Sequence, residues 1–231
     1  MTTSYVEKVR RTASSALIGY WPLNENDGTT AWDWGKAGGR NGTSSGVIPA
    51  DKFLYGLDGG PVYKFDGSAS YVNVAVTALL AAFSGAEGTF SIWAYMLNWA
   101  DSAEGKLFQA QDAAIDDYVY LNKYTDNKVY LAREANGGGV VGTSVAVTGS
   151  GWKHILGVWS ETGDYTRLYI NGSLVGTPGS SIGTYVSAPT FMDIGAGSAH
   201  GTPWEGWLQH PALWNIALPL ADIVELAEIG P

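Results

Sequence analysis

The stretch Trp152–Thr177, WKHILGVWSETGDYTRLYINGSLVGT, decides the fold. It reads as three strands in a meander: two β-rich runs flank the polar loop Ser160–Asp164, and the second run stops at Asn171-Gly172. Asn-Gly between apolar runs predicts a type I′ hairpin, because both central residues of that turn need φ > 0. The first run carries Ile155, Leu156, Val158 and Trp159 with hardly a polar break, the pattern of a central strand buried on both faces. The second run alternates. Leu168 and Ile170 share one face, while Tyr165, Arg167 and Tyr169 share the other, which is expected to be amphipathic or to meet solvent.

On either side of the meander the chain continues in short strands with turn signals at sandwich spacing. Expected strands are Ala16–Leu23, a pair Val62–Phe65 and Tyr71–Val76 around Asp66-Gly67, and Thr89–Leu97. Lys106–Ala110, Asp117–Lys123, Lys128–Ala132, Val140–Val147, Thr190–Gly195 and Glu205–Trp214 follow. Asn24–Gly46 reads as turn-rich, and Gly137-Gly138-Gly139 as a hairpin tip. A helix is predicted over Ser4–Ser15, with Ser4 as N-cap, and another over Leu220–Ile229, opened by Pro219. Thr77–Phe83 could form one helical turn at the sheet edge. No repeat of 20–50 residues argues for a propeller or solenoid. The reading is one unit: a helical lead-in over residues 1–15, then a sandwich over 16–231.

Five motifs in order carry a family resemblance: Tyr20-Trp21-Pro22-Leu23, Phe65-Asp66-Gly67 with Tyr71-Val72, Phe90-Ser91-Ile92-Trp93, Tyr169-Ile170-Asn171-Gly172, and Trp214-Asn215-Ile216-Ala217-Leu218. Together they resemble the LamG-like branch of the concanavalin A-like lectin/glucanase superfamily. The resemblance implies an all-β antiparallel β-sandwich of jelly-roll type with a short helix at each terminus. It also implies a calcium site near Asp33–Gly42, with Asp33 and Asn41 as oxygen ligands. Gln209 stands where the family's partner Asp is expected, which removes one charge. The alternative reading of Asp33 and Asn41 is turn formation without metal.

Composition excludes several functions. With no cysteine, disulfides, thiolate-bound zinc and cysteine nucleophiles are ruled out. A net charge of −9 argues against nucleic acid as partner, since phosphate binding needs clustered Lys and Arg. The one basic cluster, Lys8, Arg10 and Arg11, is either a solvated helix face or a dock for an acidic partner. No apolar run suits a signal peptide or a membrane span, so a cytoplasmically made soluble chain is expected.

Bond-breaking machinery is missing from the pattern. Glycosidases of the resembling superfamily use closely spaced carboxylates on one strand. Here the adjacent acids Asp116 and Asp117 would point to opposite faces of a strand. His154, His200 and His210 belong to no zinc motif, and His154 reads as a core residue. Loop aromatics Trp99, Tyr124 and Trp204 are the expected carbohydrate-binding platforms, each with a core or rim role as the alternative.

The functional expectation is a non-enzymatic virion structural protein of a tailed phage, in capsid decoration or in a tail or fibre, with host-surface or environmental glycans as ligands. The strings Glu87–Trp93 and Gln209–Asn215 resemble LamG-like proteins of phage structural modules. Other virion proteins, or further copies of the chain, would be the partners. Residues 1–15 and Thr77–Phe83 are the expected contacts. A bacterial carbohydrate-binding lectin module is the alternative, and a glycoside hydrolase a third.

Overall fold

The computed structural model describes residues 4–35, 38–49, 56–74, 77, 79, 82–101 and 103–228. Two antiparallel sheets face each other, with strands numbered here in chain order. The seven-stranded sheet runs β1 (Leu17–Tyr20), β15 (Glu205–Trp214), β6 (Glu87–Met96), β11 (Gly151–Ser160), β12 (Tyr165–Ile170) and β13 (Ser173–Gly179), with β4 (Tyr63–Asp66) also on β15. The eight-stranded sheet runs β10 (Val141–Ala146), β9 (Lys128–Glu134), β8 (Tyr118–Lys123), β7 (Gly105–Gln111), β14 (Phe191–Ile194), β5 (Tyr71–Val74), β3 (Gly42–Ser45) and β2 (Thr30–Ala31). This is the expected all-β sandwich.

The meander forms as its residues dictate. β11 pairs with β12 and with β6, and the β12–β13 turn has Asn171 at φ 50° and Gly172 at φ 77°. Ile155 and Trp159 of β11 enter the core between the sheets, while Leu156 and Val158 enter a second core on the outer face. That second core is closed by α1 (Tyr5–Arg11) and α2 (Leu220–Ala227), through Val9, Ile223 and Leu226. Ser4 caps α1 by accepting the Glu7 amide at 3.3 Å, and Pro219 precedes α2 as expected.

Four expectations are corrected. Tyr169 does not meet solvent, because the terminal helices cover its face and leave it 5% exposed. β4 and β5 are not a hairpin: Asp66 Oδ1 accepts the amides of Ser68, Ala69 and Ser70, and the turned chain crosses from one sheet to the other. Asn24–Gly46 holds two strands, β2 and β3. β3 escapes the hydrophobic pattern because its inward positions are Gly42 and Ser44, and a Cβ on Gly42 would lie 2.4 Å from Val72. The stretch Thr77–Phe83 lies partly outside the described residues; Thr77 and Leu79 are helical as expected, but Leu79 and Phe83 are buried in the main core, so these two side chains do not form the exposed contact expected of them. No helix among the described residues is long and apolar enough to cross a membrane.

Candidate functional site

Strand register builds a polar row across the outer face of the eight-stranded sheet. Thr43 pairs with Asn73, Asn73 with Asp193, Asp193 with Gln109, and Gln109 with Tyr120. Their neighbours Val72, Val74, Ile194, Phe108, Ala110, Val119 and Leu121 point into the core, so period-two alternation turns the row outward. A parallel row places Phe191 beside Gln111 and Gln111 beside Tyr118.

Asp193 is the anchor. Its side chain has no solvent exposure, yet it lies on the outer face. Asn73 Nδ2 donates to its Oδ1 at 2.8 Å, and His200 Nδ1 donates to its Oδ2 at 2.6 Å. Burial pushes the Asp193 carboxyl above its usual range, against the opposing bonds from Asn73 and His200. The His200 ring stacks on Tyr71 with centroids 3.6 Å apart and planes 4° from parallel, and Phe191 approaches at 5.9 Å. With Nδ1 held by Asp193, Nε2 is the ring nitrogen left for a ligand. Thr43, Ser45, Tyr71, Asn73, Phe191 and His200 line an open cavity of about 400 Å³.

His200 reaches this place on the strap Gly195–Pro203, which folds back over the face. The Lys106 amide donates to Thr202 O at 2.9 Å, and Gln111 Nε2 donates to Ser198 Oγ at 3.1 Å. Ala199, His200 and Thr202 take left-handed φ of 50°, 60° and 48°, a strained backbone that tertiary contacts must hold. Gln109 Nε2 donates to Gln111 Oε1, while Gln109 Oε1, buried, has no protein partner among the described residues. Farther along, Lys106 Nζ lies 3.6 Å from the centroid of Tyr120, and burial lowers the Lys106 amine to about 8.

The expected sites fare differently. Trp99 and Trp204 are 0% and 1% exposed, with ring centroids 5.7 Å apart inside the main core. Neither offers a ring face to a sugar, because each fills the core where the β6–β7 loop meets the start of β15. Tyr124 is half-buried beside the outer-face row, with its hydroxyl 3.3 Å from that of Tyr120 and its ring edge-on to Tyr130.

Asp33 and Asn41 are brought together, but as a turn clamp. Asp33 Oδ1 accepts the amides of Tyr20 (3.0 Å) and Gly35 (2.8 Å), Oδ2 accepts that of Arg40 (3.3 Å), and Asn41 Oδ1 accepts the Asp33 amide (2.9 Å). Ca²⁺ takes six to eight oxygen ligands, and here one carboxylate, already accepting three amides, stands without a second acidic side chain, Gln209 replacing the expected Asp; this set fits a turn clamp better than a Ca²⁺ site. Gln209 instead holds another loop, accepting the Leu57 amide at 2.8 Å. No group of three or more His, Asp or Glu able to hold a metal occurs among the described residues. Asp117 is likewise a loop clamp: it accepts the amides of Asn136, Val186 and Ser187.

The residues that form the site were missed in the sequence. The outward alternation of Tyr118, Tyr120 and Asn122 in β8 was the available signal. Nothing local marks His200, since its partner Asp193 and its stacking partner Tyr71 arrive from different strands.

No curated protein matches the chain significantly. Among solved structures, domain 4 of AbnA, an extracellular GH43 arabinanase from Geobacillus stearothermophilus in complex with arabinotriose, superposes with a TM-score of 0.63 at 14% identity, over 92% of this chain and 98% of that one. The binding domain of botulinum neurotoxin serotype D/C superposes with a TM-score of 0.69 at 14% identity, over 94% of this chain. A botulinum neurotoxin type C structure, whose cell entry depends on two ganglioside molecules, gives 0.69 at 13% identity over 94% of this chain. The chain spans about half of each toxin chain, 52% in both cases. At these identities the likeness establishes the fold alone. A family profile described as the concanavalin A-like lectin/glucanases superfamily matches residues 66–224, well over half of the sequence, and the chain therefore belongs to that superfamily.

Proposed function

We propose that this chain is a non-enzymatic carbohydrate-binding domain whose site is the outer face of the eight-stranded sheet. The observation that carries the reading is the Tyr71–His200 stack locked by buried Asp193 beside Asn73. Sugars present C–H faces to aromatic rings and hydroxyls to fixed polar groups, and this cavity offers both from preorganised strands. Phe191 and the Tyr71–His200 pair supply the apolar walls. Asn73, Thr43, Ser45 and His200 Nε2 supply hydrogen bonds. The AbnA domain, seen with arabinotriose, supports glycan binding as a use of this fold.

The test is a glycan array followed by calorimetric titration, with arabinotriose among the ligands. Asp193→Asn frees the imidazole from its ionic anchor while keeping the side chain's shape. It should weaken binding by roughly tenfold, about 1.4 kcal/mol. Unchanged affinity in Asp193→Asn and Tyr71→Ala would remove the site from this face.

The setting we propose is the virion of a tailed phage, in a capsid, tail or fibre, supported by the resemblance of Glu87–Trp93 and Gln209–Asn215 to phage structural modules. Leu220 and Val224 of α2, 59% and 42% exposed, are better docking candidates than α1, whose Val9 is buried within the chain. Co-purification with assembled particles, lost on Leu220→Asp and Val224→Asp with the fold retained, is the expected outcome. Absence of the wild-type chain from particles would end this reading.

A further inference from the structure

We propose a second carbohydrate-binding site at the edge of the sandwich, built on Trp32 and Trp34. These two rings are 53% and 41% exposed, in a chain whose Trp21, Trp99, Trp159, Trp204 and Trp214 are fully buried. The alternation exposed Trp32, inward Asp33, exposed Trp34 is that of an extended segment. In extended backbone, residues two apart leave the same side of the chain, with their Cα atoms about 6.6 Å apart at roughly 3.3 Å per residue.

Three consecutive amides of this segment are fixed from three directions. Trp32 donates to Glu25 Oε1 at 2.8 Å, Asp33 to Asn41 Oδ1 at 2.9 Å, and Trp34 to Tyr20 O at 2.7 Å. The Asp33 carboxylate in turn gathers the amides of Tyr20, Gly35 and Arg40. The clamp that does not suit a metal therefore has another consequence: it holds the backbone under two exposed indoles, so a ligand need not order that backbone.

The size of the patch selects the ligand class. Two indoles offer about 150–250 Å² each at most, whereas a stable protein contact needs about 800 Å² per partner. Polar residues Glu25, Asn26 and Asp27 precede the rings in the same loop. Two neighbouring rings amid polar groups suit consecutive sugar rings, stacked through their C–H faces. The site lies beside β2, the terminal strand of the eight-stranded sheet, whereas the Tyr71–His200 cavity lies on the outer face of that sheet.

This inference shares the carbohydrate chemistry of the outer-face reading but stands on different residues, so their failures separate. The full chain is titrated with cellohexaose, xylohexaose, arabinohexaose and an array of neutral and acidic glycans, followed by tryptophan fluorescence and calorimetry. Trp32→Ala and Trp34→Ala should each weaken binding roughly tenfold or more, as loss of an aromatic anchor does. Trp34→Phe should restore part of it. Melting temperature should fall little compared with loss of a core indole, since about half of each residue's surface is exposed. Tyr71→Ala and His200→Ala should leave the Trp32 and Trp34 fluorescence response in place. A Trp32→Ala/Trp34→Ala chain that binds as tightly as wild type overturns this proposal alone, whereas a wild-type chain that responds to no glycan overturns it together with the outer-face reading. Self-association that disappears in the double variant, seen by sedimentation without any glycan response, would make the patch a contact between copies and also overturn it.

Discussion

His154 and His210 sit fully buried beneath α1, each with one ring nitrogen bonded and one without a protein partner among the described residues. His154 Nε2 meets Ser91 Oγ at 2.7 Å and His210 Nδ1 meets Tyr20 Oη at 2.8 Å. Burial lowers the two imidazoles to about 3 and about 4. In the unfolded chain they titrate near 6.5, so below that value the unfolded state takes up protons that the folded state refuses. Their stabilising contribution is therefore full above about pH 6.5 and is lost as pH falls toward 4. The slope approaches about 1.4 kcal/mol per pH unit for each histidine. Asp193, with its raised value, acts in the opposite sense near pH 4 and softens the fall. Denaturant unfolding between pH 4 and 7 should show stability rising with pH, with a shallower slope in His154→Asn; a flat profile in wild type would contradict the burial argument. At Asp33, chelation should change nothing: melting in EDTA and in millimolar Ca²⁺ should agree, because backbone amides already occupy the carboxylate.

At the scale of elements, the meander is decided by close contacts that only small residues permit. A Cβ on Gly88 of β6 would lie 2.3 Å from the Trp159 ring on β11, whose Nε1 donates to Gly85 O at 3.0 Å. Gly88→Ala should destabilise by roughly 1–3 kcal/mol through overpacking, measurable as a lower denaturant midpoint with unchanged slope. α1 belongs to the fold as much as any strand. Tyr5 Oη donates to Leu226 O at 3.0 Å, Lys8 Nζ donates to Glu228 O at 2.6 Å, and Val9 closes the second core. Removing residues 1–15 should lower the melting temperature and uncover apolar surface that binds a hydrophobic dye, rather than leave an intact sandwich. The sequence showed that a helix forms here, through Ser4 and the Tyr5–Val6–Val9 spacing. That the strand face beneath it is therefore dry, with Tyr169 covered, depended on which element the helix met.

For the molecule as a whole, the two outer faces of the sandwich differ. One is covered by α1 and α2, while the other keeps a polar row and a cavity of about 400 Å³. In the proposed site, hydrogen bonds and ring contacts rather than a charged surface would hold the sugar. Affinity for a neutral oligosaccharide should thus change little between 50 and 500 mM salt, and a steep salt dependence would point to an anionic ligand instead.

The sequence by itself determined most of the strands, though not β2 and β3, together with the Asn171-Gly172 turn, the terminal helices and the superfamily, because alternation, turn chemistry and capping act over a few residues. Tertiary structure alone decided which aromatics face water. Trp99 and Trp204 go inside while Trp32 and Trp34 stay out, and no local pattern distinguishes these four indoles. It also decided that Asp193, Asn73, Tyr71 and His200 come together, since cross-strand register, not sequence distance, sets which side chains touch.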